Sequence, residues 1–137
     1  MSEVDNAQTS FFHEAMPFTK VLGVEVITAT KEEVRARVAW SPDRCTSGGA
    51  LHGGVVMALA DSTGATCAYL NLPEGSGGTT TIESKTNFLR GVREGHIESV
   101  SRPLHAGRTV MVIETDVMDA SGKRVARVTQ TQAVLSG

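Results

Sequence analysis

The sequence predicts an α+β domain, an antiparallel β-sheet wrapped around one long central helix. Three observations carry this. Residues 53–72 read as a single helix whose only charged residue is Asp61. The segments on either side alternate apolar and polar residues with the two-residue period of half-buried strands. Clusters of Gly, Ser, Pro, Asn and Asp separate those segments, with no repeat and no second domain. Two strands, one apolar helix and about four more strands fit one antiparallel sheet with its helices on one face.

In chain order, residues 1–8 are polar and expected to be loose. Residues 10–16 suit a short helix ended by Pro17, with Phe11 and Phe12 as packing anchors, because a residue before proline is steered out of the helical region. Residues 23–30 and 33–40 flank Lys31-Glu32 as a hairpin. In its second arm Val34, Ala36, Val38 and Trp40 alternate with Arg35 and Arg37. Residues 41–50 form a loop rich in Ser, Gly and Pro that delivers the chain to His52. The helix ends near Asn71-Leu72-Pro73, and residues 74–78 make a Gly/Ser loop. Strands follow at 79–89, 95–104 and 108–118, then the turn Asp119-Ala120-Ser121-Gly122-Lys123 and a closing strand at 124–135. The expected organisation is an N-terminal tail and short helix over residues 1–18 and one domain over residues 19–137.

Composition removes several function classes. At 137 residues the chain buries roughly two-thirds of its unfolded surface on folding. Charged residues are 20% and the net charge is −2, so neither a nucleic-acid footprint nor a membrane-binding patch is expected. No basic start leads into an apolar stretch, and the apolar run at residues 55–60 is far short of a bilayer span. Cys45 and Cys67 have neither CxxC spacing nor a Cys/His cluster, which predicts reduced thiols in a cytoplasmic protein. With no HExxH, CxxC or clustered carboxylates, no metal is expected. Gly75-Ser76-Gly77-Gly78 follows a helix and enters a strand, the wrong order for a phosphate loop.

The chemistry concentrates at His52, Gly53 and Asp61. A surface helix shows a stripe of Lys, Arg or Glu. This one offers only small hydroxyls and one carboxylate, so it is expected to be covered on nearly all sides with Asp61 buried. A buried carboxylate is costly unless paired, neutralised or used. Three uses are open: Asp61 N-caps a second helical segment from Ser62, pairs with an arginine from elsewhere, or acts as a catalytic group. Gly64 costs about 1 kcal/mol relative to alanine inside a helix, which fits a close approach of backbone or ligand, or tight packing. At the helix start the first N–H groups lack partners and sit at the positive end of the dipole. The Gly53 N–H can therefore polarise a substrate carbonyl, with His52 supporting the loop or the substrate. Alternatively His52 is a cap and the glycines serve packing.

Gly53 and Asp61 are eight residues apart, roughly 12 Å along one helix. A catalytic carboxylate must come within about 3–3.5 Å of the reacting carbon, directly or through a water. One chain cannot easily place both groups on one carbonyl, whereas two antiparallel copies of the helix can. If both residues act, the active unit is a dimer with two equivalent sites.

Gly49-Ala50-Leu51-His52-Gly53-Gly54, with Asp61 nine residues past the histidine, resembles the HGG…D signature of hotdog-fold acyl-CoA thioesterases. The nearest branch in this resemblance is the phenylacetic-acid-degradation (PaaI) type, with the 4-hydroxybenzoyl-CoA thioesterase-like enzymes. Asn87-Phe88-Leu89-Arg90 with Glu94-Gly95, His105-Ala106-Gly107-Arg108, and Val125-Ala126 are similar to the family's later elements. The resemblance runs from about residue 19 to residue 135 and is specific as a set.

It implies a hotdog fold and a homodimer whose sheets join edge to edge, either standing alone or pairing into a homotetramer. It implies that Asp61 is nucleophile or general base and that the Gly53 N–H polarises the thioester carbonyl. Thr81 falls where some members carry a Ser or Thr that orients the attacking water. Arg90, Gly107 and Arg108 fall in regions that contact coenzyme A, which is part of the substrate, so no cofactor is expected. Two positions depart from the pattern: Thr46 replaces the usual Asn or Gln six residues before His52, and Gly91 replaces a proline. The acyl pocket is expected between two central helices, with Val55, Met57, Ala58 and Ala65, and also Ala68, available to line it for an aryl or short to medium acyl group.

Two other functions compete. A hydratase on the same fold needs a histidine to work with Asp61, whereas His13, His96 and His105 read as surface residues. A non-catalytic acyl-CoA-binding module fits Thr46 but has no use for an acid in the helix. Cys67, with no base beside it, reads as packing.

Overall fold

The long apolar stretch forms α3, Gly53–Leu70, one uninterrupted helix capped at Asn71. A computed structural model describes residues 3–137 of the chain. Six antiparallel strands accompany the helix: β1 Glu25–Ala29, β2 Val34–Ala39, β3 Gly78–Phe88, β4 His96–Ala106, β5 Val110–Asp119 and β6 Arg124–Leu135. They form one sheet in the order β1-β2-β4-β5-β6-β3. The chain enters α3 after β2, near one edge of the sheet, and leaves it for β3 at the other edge. The helix therefore packs against β2, β3, β4, β5 and β6.

Period-two alternation puts the inward side chains of the strands under the helix. Val34, Ala36 and Val38 of β2, Ile97 of β4, Met111, Ile113 and Val117 of β5 and Val128 of β6 are buried. They meet Val56, Leu59, Ala60 and Cys67 of α3 in one core. Within it lies a cluster of hydroxyls from Thr63, Ser99, Ser101 and Thr115, all fully buried. Ser101 Oγ donates to Thr63 Oγ1 at 2.8 Å, and Ser101 and Thr115 share a bond of 2.6 Å. Thr63 and Ser99 are 3.1 Å apart, and Ser99 reaches the Ala36 carbonyl at 3.4 Å.

The N-terminal segment differs from expectation. The first helix, α1, is Asn6–Ala15, so residues 6–8 are ordered rather than loose, and Asp5 caps it by accepting from the Gln8 N–H. The expected looseness of residues 1 and 2 lies outside the described residues. Pro17 lies just past the end of α1, as expected, and also starts a second helix, α2 Pro17–Val21, where its missing N–H would be unpaired anyway. Phe12 is fully buried, but Phe11 is 52% exposed and is no core anchor. His13 is half-buried and bonds the Val24 carbonyl at 2.8 Å, fastening α1 to the sheet.

The larger correction concerns α3. The sheet covers one side of it and leaves the other open. Gly54, Met57, Ala58, Asp61, Ala65 and Tyr69, spaced three or four apart, form a stripe that is exposed or half-exposed. Asp61 is exposed in the single chain instead of buried. The absence of Lys, Arg and Glu therefore marks an apolar face that the sheet does not reach. β3, at the sheet edge, borders this face, and its outer edge has no neighbouring strand.

Candidate active site

Asp61 sits mid-helix on the open stripe. Because α3 continues through it, it does not cap a second helical segment. Its side-chain partners are not arginines but Gln130 and Thr81, so ion pairing is also set aside. Gln130 Nε2 donates to Asp61 Oδ1 at 2.5 Å, and Thr81 Oγ1 donates to the same oxygen at 3.4 Å. Gln132 Nε2 donates to Thr81 Oγ1 at 2.7 Å, which leaves the threonine proton for the carboxylate. Thr79 Oγ1 lies 2.9 Å from Gln132 Oε1. Thr79 Oγ1 is equally close to the Ala133 carbonyl, at 2.9 Å. From Gln132 the donors run one way, through Thr81, and meet the Gln130 amide at a group that only accepts.

Local structure explains this convergence. Thr81 of β3 faces Gln132 of β6 in the register, and a bulge at Ile82 immediately follows. Bulges re-aim neighbouring side chains and are common beside functional sites. Gln130 and Gln132 occupy inward positions of β6 in step with Val128 and are 0% and 1% exposed. The Gln130 Oε1 is buried without a hydrogen-bond partner. Gly64, one turn from Asp61, makes room for it: a Cβ there would lie 2.0 Å from that oxygen.

Sequence reasoning missed both glutamines. The available signal was their spacing, two amides on the face of a strand that otherwise buries valines.

At the helix start His52 is the N-cap, its Nδ1 accepting from the Gly54 N–H at 2.8 Å. The capping alternative for His52 is thus the one realised in the single chain, and it occupies the Gly54 donor. The Gly53 N–H, first in the helix, has no intrahelical carbonyl to reach. A Cβ on Gly53 would come within 3.2 Å of the Phe88 ring, so the glycine lets β3 lie close over the helix start. Thr46 is exposed in the loop before His52, its N–H bonded to the Ala50 carbonyl at 2.8 Å. Thr46, His52 and Gly53 therefore group at one point of α3, with Thr81 and Asp61 at another.

Of the expected acyl-pocket residues, Ala65 lines an apolar pocket of about 320 Å³ with Phe11 of α1, Met16 between α1 and α2, Tyr69 of α3 and Thr79 of β3. Met57 and Ala58 lie on the open stripe between Asp61 and Gly53. Val55 does not line the stripe, because it turns into the core beneath the helix, as does Ala68. Phe11, exposed where an anchor was expected, is part of this pocket.

The two arginines lie at opposite ends of the sheet. Arg90 borders a polar cleft of about 490 Å³ with Arg93, Glu94, Asp119 and Ser121. Hydrogen bonds from Ser121 and Lys123, with the charge of Arg90 nearby, hold the Asp119 carboxyl below its ordinary range. Arg108 borders a second cleft with Gly75, Ser76 and Thr109 at the far end of β3. Gly107 serves the tight turn, since a Cβ there would come within 2.7 Å of His105 Nε2 and the Val110 carbonyl. Cys67 is buried and its thiol is pushed up to about 11 by burial. Among the described residues no cluster of His, Cys, Asp and Glu could hold a metal, and no helix is long and apolar enough to cross a membrane.

A sequence model of the Thioesterase superfamily matches residues 48–126, more than half the chain. The 1,4-dihydroxy-2-naphthoyl-CoA hydrolase of Escherichia coli is 34% identical over 87 residues, 64% of this chain and 63% of that one. A thioesterase of Pseudomonas aeruginosa, solved as a substitution variant, superposes with a TM-score of 0.87 at 27% identity over 97% of this chain and 95% of that one. The PaaI protein of the Escherichia coli phenylacetic acid degradation operon superposes with a TM-score of 0.83 at 19% identity over 96% and 94%, a likeness of fold.

Proposed function

The chain belongs to the thioesterase superfamily, and on that premise we propose that it hydrolyses an acyl-CoA thioester with Asp61 as the reacting carboxylate. It has the hotdog fold and is a thioester hydrolase. The observation that carries the proposal is the one carboxylate on the open face of α3, with both its side-chain hydrogen bonds on Oδ1. That arrangement frees Oδ2 to attack the thioester carbon, or to take a proton from a water that does. The oxyanion formed is stabilised by the Gly53 N–H, and its collapse breaks the C–S bond and expels the CoA thiolate. Attack by Oδ2 itself leaves a mixed anhydride on Asp61 that a water then hydrolyses, attack by the water gives the acid directly, and in both routes that water supplies the proton of the thiol.

Gly53 and Asp61 lie on one unbroken helix, roughly 12 Å apart along its axis. The carbonyl is therefore polarised by Gly53 of a second copy, in a dimer with two equivalent sites. The bare outer edge of β3 and the apolar stripe of α3 support such a pairing. Thr46 and His52 enter the site with that Gly53, while Thr81 enters with Asp61. The pocket lined by Ala65, Phe11 and Tyr69 suits an aryl or short to medium acyl group, and Met57 and Ala58 flank it toward the thioester. Arg90 and Arg108 serve the phosphates of coenzyme A, and Gly107 holds the turn that presents Arg108. Brought from opposite sheet ends, the two arginines serve one ligand only across two chains.

The test is release of free thiol from a panel of aryl, short and medium acyl-CoA esters by wild type and Asp61→Asn at matched oligomeric state. Turnover by wild type that collapses in D61N supports the reading. Binding by both proteins with no thiol released from any ester overturns it in favour of a binding module. The shared site is tested by co-refolding D61N with Gly53→Pro, which removes the N–H at a position where proline starts helices well; because its ring presses on Phe88, the mixture is compared with wild type only at matched thermal midpoint and oligomeric state. Random pairing gives heterodimers with one intact site, so two inactive variants together should recover about a quarter of wild-type activity. No recovery would remove the two-chain site.

A further inference from the structure

We infer that Gln130 is a positioning residue for the hydrolysis, fixing Asp61 through Oδ1 so that Oδ2 meets the substrate. Gln132 supports it by orienting Thr81. This rests on the reading that Asp61 does the chemistry.

The contacts already described suit that role. A carboxylate on an exposed helix face can rotate about its side-chain torsions, and either oxygen can then point at the substrate. The Gln130 amide removes that freedom with a hydrogen bond from a side chain that is itself completely buried. Thr81 adds a second donor to the same oxygen, and its hydroxyl is aimed by Gln132. Both glutamines lie on β6, on the far side of Asp61 from any ligand on the open stripe, so neither is a catalytic residue.

The fold bears two costs at this point that packing alone does not require. The first is a buried amide whose Oε1 has no partner. The second is a glycine inside α3, required because a Cβ at residue 64 would overlap that Oε1. An apolar side chain of equal length at position 130 would avoid the unpaired carbonyl oxygen, and the N–H bond given up ends on an exposed carboxylate that water can reach, so the two effects on stability should nearly offset. What such a side chain cannot supply is the N–H on Asp61. Stability given up for geometry at a reacting group is the usual mark of a functional site.

Gln130→Met separates the two roles. It keeps the length of the side chain and deletes the donor. Thermal midpoint, kcat and KM are measured on an acyl-CoA ester that wild type turns over, beside Gln130→Glu, Gln132→Met and D61N. A positioning role predicts a Q130M midpoint near wild type, KM within about twofold, and kcat lower by about 10- to 100-fold. Q130E, buried against a carboxylate, is expected to hold a proton and donate its O–H in place of the amide, so it should lose less kcat than Q130M and lose it further as pH rises, and Q132M should also lose less than Q130M. Wild-type kcat in folded Q130M overturns the inference, and so do parallel losses of midpoint and kcat of equal size in Q130M and Q132M. If D61N keeps full activity, the reading of Asp61 has failed. If D61N is inactive while Q130M is fully active, only the positioning role has failed.

Discussion

Two hydrogen-bonded clusters flank α3, and they end differently. Thr63 and Asp61 are two residues apart, about 200° around the helix. On the sheet side Thr63, Ser99, Ser101 and Thr115 pass their hydroxyl protons among themselves and to the carbonyls of Ala36, Leu59 and Ala60. Nothing in that cluster faces water. On the open side Gln132, Thr81 and Gln130 direct theirs toward one exposed carboxylate. A satisfied, closed polar network rigidifies a core. One that terminates at an exposed charged oxygen instead holds that oxygen still for something outside the chain.

Four measurements would break or sharpen this contrast. The largest effect is expected for D61N, with kcat lower by about 10²–10⁴-fold and little change in the denaturant midpoint, since the residue is exposed. Gly64→Ala should reduce both properties. Its Cβ collides with the Gln130 amide, so overpacking should cost about 1–3 kcal/mol, and displacement of that amide should lower kcat. Thr63→Val tests the closed side. Stranding buried hydroxyls should cost about 1–3 kcal/mol in a denaturant titration, with kcat within about twofold of wild type; a large loss of kcat would erase the distinction between the clusters.

The smallest effect belongs to Cys67, one turn beyond Thr63 on the covered side. Its thiol is raised from 9.0 to about 11 by burial, so at pH 8 only about one molecule in a thousand carries the thiolate. Labelling of native protein should stop at Cys45, with Cys67 reacting only after denaturation. The folded state also keeps the Cys67 proton to higher pH than the unfolded chain. Stability should therefore decline as pH rises above 9, and Cys67→Ala should flatten that decline.

Much of the fold was legible because its signals are local and periodic. The alternation in β2, the Gly-rich turns and the apolar run of α3 each mark an element within a few residues of its bounds. The N-terminal helices were harder, because Pro17 closes one helix and opens another, and proline is compatible with both. The exposure of α3 was misread for a different reason. Composition tells that a face avoids charge but not whether the sheet or another surface covers it. In the site, Asp61 and Gly53 stood out by contrast with their neighbours and by the family resemblance. Gln130 and Gln132 did not, since their partners are far away in sequence and an amide in a strand carries little local signal.

Gly64 and Gln130 share one small volume of space. A methyl group added at the first position requires a shorter side chain at the second, and a longer side chain at the second is blocked while the helix passes where it does. Neither position is free to drift alone. A chain carrying Gly64→Ala should regain stability, without activity, when Gln130→Ala is added, so the pair is expected to be inherited as a unit.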